Sequence, residues 1–165
     1  MKFLYISILF ISSILIKASP VDELEPFFNT KLFFTQSSLN KLSNTYEVSK
    51  GTFIRNSDSS VRIDINSPFK EVYFLSIDGL EIHDLDFDQI KKIPISEINN
   101  FLVSFIINGD INSSKIINIK KKSFTIIENE KKFDFEFINQ NTLHVTFQDN
   151  MEVDNLIKFT KDNAN

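Results

Sequence analysis

Apolar and polar residues alternate with a period of two along the second half of the chain, which predicts β-strands with one apolar face. In KFDFEFI the apolar positions are Phe133, Phe135 and Phe137, and in TLHVTFQ they include Val145 and Phe147. Short polar segments (KKK, ENEK, NQN and DNME) separate these runs from IINI, SFTIIE and VDNLIKFT. This pattern is typical of an up-and-down antiparallel meander.

The first half of the chain carries the same signal in shorter segments. The runs KLFFTQS, TYEVSKGTFIR and VRID predict three strands. A β-branched and aromatic run at Val72–Ile77 and a returning run at Leu80–Leu85 predict a hairpin, with Asp78-Gly79 as its two-residue turn. We therefore expect about ten strands in the whole chain.

Two helices are predicted outside these strands. The first begins near Ser19 and Pro20 and is ended or kinked at Pro26. The second spans Pro94–Ile107 and carries an apolar stripe on one face. The stripe consists of Ile95, Ile98, Phe101, Leu102 and Phe105. Its pattern fits a permanently packed helix and a movable lid equally well.

The first 18 residues have the pattern of a secretory signal peptide. Lys2 supplies a positive end, Phe3–Ile16 is an apolar run too short for a comfortable membrane span, and Ala18 is a small residue at the expected cleavage position. An uncleaved N-terminal anchor is the alternative. Residues 19–165 are then predicted to form a single exported domain.

Composition excludes several classes of function. The net charge of −4 becomes −6 once Lys2 and Lys17 are removed, and this acidic balance argues against nucleic-acid binding. The chain has no cysteine, and its two histidines, His83 and His144, lie on separate predicted strands. It also lacks phosphate-binding glycine loops and nucleophile elbows. We therefore expect a protein that is not an enzyme and that uses no cofactor.

Three aspartates at period two, Asp84, Asp86 and Asp88, are predicted to lie on one strand face and bear a superficial likeness to a calcium loop. The calcium loop needs a glycine and a distal glutamate at fixed positions, and both are missing from this segment. A solvated strand edge, at which charge discourages sheet-to-sheet pairing, is the preferred interpretation.

Several motifs together resemble the outer-membrane lipoprotein carrier (LolA) family. The stretch Asn66–Ile90 contains a proline before an aromatic-aliphatic strand, an Asp-Gly turn, and a following Asp-x-Asp-x-Asp-Gln-Ile run. Phe34-Thr35-Gln36 is similar to the end of the family's first strand, and Gly51–Arg55 is similar to the lead into its Lys-Arg-Pro motif, without the proline. Val61–Asp64 resembles a further strand of the family, with Ile63 in place of a tryptophan.

The resemblance implies an α+β fold. We expect a curved, incompletely closed antiparallel β-barrel of about ten to eleven strands, covered by two or three helices around an apolar cavity. It also implies a monomeric chaperone in the periplasm of a Gram-negative bacterium. Such a chaperone receives acylated lipoproteins from an inner-membrane lipoprotein-releasing transporter and passes them to an outer-membrane lipoprotein receptor.

The apolar strand positions are the candidate lining of that cavity, and the second helix is its candidate cover. These residues are Phe53, Phe74, Phe101, Leu102, Phe105, Phe133, Phe135, Phe137, Val145 and Phe147. Arg55 is the candidate gating or partner-binding residue, with an ordinary surface arginine as the alternative. Three other interpretations remain open: an ordinary filled core, a sensor or interaction domain of the same fold, and a carrier of another lipid.

Overall fold

The chain forms one open antiparallel sheet of eleven strands. The computed structural model describes residues 19–40, 43–98, 105, 111, 115–128, 130–149 and 151–162. Its strands are β1 (Leu32–Asn40), β2 (Thr45–Arg55), β3 (Val61–Ser67), β4 (Glu71–Ser76), β5 (Gly79–Asp84), β6 (Gln89–Pro94), β7 (Ile116–Ile117), β8 (Ser123–Glu128), β9 (Lys131–Asn139), β10 (Thr142–Gln148) and β11 (Asp154–Lys161). The predicted signal peptide lies outside the described residues.

Two meanders joined along one seam make up this sheet. The strand order is β6-β5-β4-β3-β2-β1-β11-β10-β9-β8-β7, so β1 pairs with β2 on one side and with β11 on the other. Every neighbouring pair is antiparallel, and the two end strands, β6 and β7, leave the sheet unclosed. The predicted antiparallel, incompletely closed β architecture is confirmed.

Helical structure is sparser than predicted in the part of the chain that the structure describes. It consists of one α-helix of five residues, α1 (Leu24–Phe28), and a 3-10 turn at Ile95–Glu97, together with the helical backbone of Phe105 and the 3-10 backbone of Lys115. The prediction that Pro26 ends or kinks the first helix is wrong. Pro26 instead lies in the first turn of α1, where its missing N–H has no helical acceptor to lose.

The predicted helix start at Pro94 is also wrong. Pro94 is the last residue of β6, with an extended backbone, and the 3-10 turn follows it. An edge strand tolerates proline where the backbone nitrogen faces away from its neighbour, which explains why this residue can end a strand. Most of the remaining span predicted as helix lies outside the described residues.

The hairpin between β4 and β5 turns one residue earlier than predicted. Ser76 pairs with Gly79, so the two turn residues are Ile77 and Asp78. Gly79 has a φ of 151°, and a Cβ atom there would stand 2.3 Å from the carbonyl oxygen of Ile93. Only glycine fits this close approach to β6 without strain.

The three aspartates do not share a strand face, so that part of the prediction is wrong. Asp84 ends β5, and its Oδ1 accepts the backbone N–H groups of Asp86 and Phe87, each at 3.0 Å. Oδ2 of Asp86 accepts the backbone N–H of Lys70 at 2.9 Å. These carboxylates stabilise the turn between β5 and β6 and tie it to the turn between β3 and β4.

Candidate functional site

One face of the sheet, here called the inner face, carries nearly all of the buried apolar side chains. Strand register places Phe133 beside Phe147, Phe135 beside Val145, and Phe137 beside Leu143. The same face continues through the neighbouring strands on both sides. Its further buried members include Leu32, Phe34, Phe53, Val61, Leu75, Phe124, Ile126 and Phe159. Period-two alternation has thus produced one apolar surface across several strands.

Helix α1 packs on this inner face through its two phenylalanines. The ring centroid of Phe28 lies 5.5 Å from that of Phe53, 5.1 Å from that of Phe159 and 5.6 Å from that of Phe105. The Phe27 ring lies 5.7 Å from that of Phe137. All four are edge-to-face contacts, the arrangement that aromatic quadrupoles favour.

Most of the predicted lining residues meet on the inner face. Five of them are buried on that face, Phe105 is buried against it from outside the sheet, and Phe147 is partly buried at its margin. The buried six are Phe53, Phe105, Phe133, Phe135, Phe137 and Val145. Phe101 and Leu102, the other two cover residues, lie outside the described residues.

Phe74 is placed on the opposite, outer face. It pairs with Arg62 and Glu81, whereas its neighbour Tyr73 pairs with Ile63 on the inner face. The side chain of Phe74 is 37% exposed. The Arg62 guanidinium carbon lies 5.2 Å from the Phe74 ring centroid, which makes this a surface cation–π contact rather than part of an apolar wall.

Arg55 lies at the end of β2, on the inner face and beside α1. It pairs with Val61, and its Nη1 donates to Oδ1 of Asn29, at the C-terminal end of the helix, at 3.3 Å. Burial lowers the pKa of Arg55, and the nearby Glu25 carboxylate partly offsets that effect. The guanidinium therefore connects the sheet to the helix that covers it.

A polar node interrupts the apolar surface where β1 meets β11. Oδ1 of Asn155 accepts hydrogen bonds from Oγ of Ser38 at 2.6 Å and from Nε2 of Gln36 at 3.1 Å. Nδ2 of Asn155 donates to the carbonyl of Val153 at 2.9 Å. Because Asn155 is only 6% exposed, these bonds replace water for a buried amide.

Two grooves lie on the outer face of the C-terminal strands. One of about 1040 Å³ is bordered by Tyr46, Lys132 and Gln148, and the other, of about 730 Å³, by Ser123, Glu136 and His144. Both reach the row formed by Asp134, Thr146 and Leu156. Oδ1 of Asp134 already accepts a hydrogen bond of 2.6 Å from Thr125, so part of this row is internally satisfied.

The described residues contain no group of three or more histidine, cysteine, aspartate or glutamate side chains placed to hold a metal ion. His83 contacts Glu81 on the outer face, and the Lys92 ammonium bridges to the same carboxylate at 2.6 Å. Hydrogen bonds with Lys92 and with His83 keep the pKa of the Glu81 carboxyl below its usual value. No helix in the described ranges has the length and apolarity needed to cross a membrane.

The candidate lining residues did not include those of α1. Phe27 and Phe28 were left out, although an adjacent aromatic pair in a predicted short helix was the available signal. Leu143 shares the period-two spacing of Val145 and Phe147 but was not chosen as a lining candidate, and register against β9 would have added Phe124. Phe159 carried no distinctive pattern, and only its pairing with Phe34 identifies it.

The inner face is an apolar surface that the short helix α1 covers. At its rim, the hydrogen bond between Arg55 and Asn29 makes a polar connection between sheet and helix. This geometry can shelter apolar groups. Neither a protein-family model nor a curated protein matches this sequence.

Proposed function

We propose that this protein is a periplasmic chaperone that binds the acyl chains of lipoproteins and carries them from the inner to the outer membrane. The observation that supports this most is the inner face itself, where aromatic and aliphatic side chains from several strands lie on one side of an open sheet. The motif resemblance set out above supports the same class.

The physical basis is the transfer of methylene groups out of water. Each methylene that is buried in apolar surroundings contributes about 0.8 kcal/mol, so an acyl chain is strongly favoured against a surface lined by phenylalanines. In this proposal α1 and Phe105 form the cover of an apolar cavity under a curved half-barrel. Their edge-to-face contacts through Phe28 are the ones that a chain entering the cavity breaks.

A cover of this kind keeps the affinity moderate. Breaking ring contacts to open the cavity costs free energy, and that cost is subtracted from the gain of burying the acyl chain. A carrier needs such a balance, because it must hold its cargo in water and still release it to the next acceptor. Arg55, which connects β2 to Asn29, is the proposed gate between the closed and open arrangements.

The partners follow from this role. The cargo is an acylated lipoprotein, the donor is an inner-membrane lipoprotein-releasing transporter, and the acceptor is an outer-membrane lipoprotein receptor. Residues 1–18 are the proposed export signal. The carrier acts as a monomer that travels between the two membranes.

Site-specific fluorescence tests the proposal directly, because the chain contains no tryptophan. Phe105→Trp places a reporter against the inner face, and Phe74→Trp places a matched reporter on the outer face. A triacylated lipopeptide with a spin label on one acyl chain is then titrated into each variant. We expect saturable quenching of Phe105→Trp and only weak collisional quenching of Phe74→Trp.

Equal quenching of both reporters, or no quenching of either, contradicts acyl-chain binding on the inner face. Circular dichroism of both variants checks that the substitutions preserve the sheet. In cells, Arg55→Leu is expected to leave lipoproteins in the inner membrane or periplasm. Normal lipoprotein sorting with this variant contradicts the gating role alone.

One observation favours a second candidate, an interaction domain of the same fold that holds no lipid. Phe53, Phe124 and Phe135 are almost completely buried by the protein's own side chains, as in an ordinary core. Mass spectrometry of the extracted protein separates the candidates. An acylated peptide supports the lipoprotein carrier, a free lipid supports a carrier of another lipid, and neither species supports the interaction domain.

A further inference from the structure

Strand β6 forms one end of the sheet and presents an open backbone edge. Within the described ranges it pairs with β5 alone, and five of its six residues, all except Ile93, are exposed. The opposite end strand, β7, has only two residues, so β6 is the edge long enough to pair with a further segment.

The direction of the hydrogen bonds identifies which backbone groups of β6 face outward. The N–H of Ile95 donates to the carbonyl of Asp78 at 3.2 Å, and hydrogen-bonding direction alternates from one residue to the next along an antiparallel strand. Lys91 and Ile93 therefore direct their backbone groups toward β5. Ile90 and Lys92 direct their N–H and C=O groups away from the sheet.

Pro94 fits the same alternation. It lies two residues beyond Lys92, at a position whose backbone nitrogen faces away from β5 and needs no acceptor there. The outward edge thus offers two N–H donors, from Ile90 and Lys92, and ends at a residue that has none. A short extended segment matches this length.

Charge indicates what kind of segment fits. Lys91 and Lys92 are adjacent, so their side chains lie on opposite faces of the edge and make both faces basic. Lys92 bridges to Glu81 at 2.6 Å, yet 74% of its side chain is exposed. Antiparallel pairing of two copies about Lys91 would bring like charges directly opposite each other, which is destabilising.

We propose that β6 is a docking edge for an extended, acidic peptide segment, which adds to the sheet as a further strand. Backbone hydrogen bonds to Ile90 and Lys92 provide the pairing, and acidic side chains opposite Lys91 and Lys92 provide the selectivity. Ile90, which is 62% exposed beside these lysines, supplies an apolar contact. This site goes beyond the proposed carrier function and does not depend on lipid binding.

Lysines on an edge strand also discourage aggregation, and that role alone predicts that no peptide binds. The two explanations differ in one measurable respect. A docking edge selects acidic peptides over basic ones, whereas a merely protected edge accepts neither.

The probe is an N-acetylated, C-amidated hexapeptide, Val-Thr-Glu-Glu-Val-Thr, and its counterpart is Val-Thr-Lys-Lys-Val-Thr. Each is titrated into ¹⁵N-labelled protein and followed by nuclear magnetic resonance and amide hydrogen exchange. We expect saturable shifts and slower exchange at the outward amides of Ile90 and Lys92 with the glutamate peptide. The amide of Lys91, already bonded to β5, should keep its exchange rate.

Two sets of variants make the test specific. Lys92→Pro removes an outward donor and no bond to β5, and it should weaken the glutamate peptide by about tenfold. The double variant Lys91→Glu/Lys92→Glu should reverse the preference toward the lysine peptide. Lys131→Glu/Lys132→Glu in β9 is the matched control, because it changes the net charge equally within a strand paired on both sides.

Several outcomes overturn the proposal. These are equal binding of the two peptides, absence of binding, shifts that map to the outer grooves instead of β6, and a glutamate affinity that Lys92→Pro leaves unchanged. Concentration-dependent dimerisation through β6, measured by sedimentation, would assign the edge to a second copy and would equally overturn it. Reduction of glutamate-peptide binding by the β9 control to the same extent as by the β6 variant would show a nonspecific charge effect.

Discussion

Strands β9 and β6 belong to the same sheet, yet they have opposite environments. In β9 three phenylalanines at alternate positions are buried on the inner face, whereas β6 is exposed at five of its six residues. The difference is in what covers them. Strand β9 lies under α1 and between β8 and β10, while β6 has β5 on one side and no described element above it.

The alternation of apolar and polar residues in a strand and the burial of that strand therefore have separate causes. Alternation decides which side chains share a face, and the element packed on that face decides which of them leave water. Here the N-terminal strands β4–β6, which we call the wing, extend beyond the area that α1 covers. Most of the buried apolar side chains of the sheet lie in β1, β2 and β8–β11, whereas the wing buries Val72 and Leu75 of β4 and otherwise presents partly or fully exposed side chains.

The largest expected loss of stability comes from a substitution in the strands that α1 covers. Phe135→Ala removes a ring that is 1% exposed and stacked on Phe124 with centroids 5.0 Å apart, and it should lower the free energy of unfolding by about 4 kcal/mol. Urea denaturation followed by far-ultraviolet circular dichroism measures this change. The matched wing variant is Phe87→Ala, whose ring is largely exposed and whose loss should change stability by less than about 0.5 kcal/mol.

A similar loss of stability in both variants would end the comparison. It would mean that Phe87 is covered in solution and that the wing belongs to the main core. A small effect of Phe135→Ala alone would instead indicate that the inner face is loosely packed.

Glycine substitutions give the next largest effects and test both regions. A Cβ at Gly51 would stand 1.9 Å from the carbonyl oxygen of Asp64 and 2.8 Å from the Phe34 ring, so Gly51→Ala should cost about 3 kcal/mol. Gly79→Ala in the wing combines a positive φ with a 2.3 Å approach to Ile93 and should cost about 2 kcal/mol. Thermal unfolding monitored by two probes is the measurement.

If the wing unfolds separately, the two glycine variants will differ in which strands they destabilise as well as in how much stability they lose. Gly79→Ala would then produce an early transition in hydrogen exchange confined to β4–β6, and Gly51→Ala would shift the global transition. One shared transition in both variants would show that the sheet unfolds as a single cooperative unit.

Loss of the polar node around Asn155 should have an intermediate effect on the free energy of unfolding. Asn155→Ala leaves the hydroxyl of Ser38 and the amide of Gln36 without their common buried acceptor, which should cost about 2 kcal/mol. Denaturant unfolding measures this loss, and Asn141→Ala, in the exposed turn before β10, is the control with an expected change near zero. A neutral Asn155→Ala would mean that water replaces the amide and that this part of the inner face is wet.

Much of the sheet was predictable from local pattern, because period-two alternation needs only a few consecutive residues. The spacing of Phe133, Phe135 and Phe137 was sufficient to place them together, and register then brought Val145 beside Phe135. The wing was harder. In VYFLS both Tyr73 and Phe74 are aromatic, so alternation could not decide which one faces inward, and only pairing with Ile63 assigns Tyr73.

Strand β6 and helix α1 show where local pattern fails. The segment QIKKIP has neither regular alternation nor β-branched enrichment, and its final proline suggested a helix start instead of an edge strand. The five residues of α1 are helical in spite of Pro26, because packing of Phe27 and Phe28 on the sheet stabilises a helix too short to form alone. Both outcomes depend on contacts with residues distant in sequence.

The smallest expected effect concerns the outer face of β3, beside the wing, and depends on pH. Hydrogen bonds from Arg62 hold the pKa of the Asp64 carboxyl below its usual value, with Nη2 at 2.7 Å from Oδ1. A carboxyl whose pKa is lowered by folding stabilises the folded state above its unfolded pKa of about 4, and this contribution is lost as the pH falls through the folded value. Because the Arg62 side chain is 45% exposed, solvent screens the pair, and Arg62→Gln should cost only about 0.5 kcal/mol at pH 6.

The difference between wild type and Arg62→Gln should shrink as the pH falls from 5 to 2, and 0.5 M NaCl should reduce it at pH 6. Urea denaturation at a series of pH values measures both trends. A difference that stays constant on acidification would show that Arg62 acts through its contact with the Phe74 ring, which no proton titrates, and a difference that grows would reverse the expected sign. A difference larger than that of Asn155→Ala would place the stabilising interactions of this protein on the outer face of β3 instead of beneath α1.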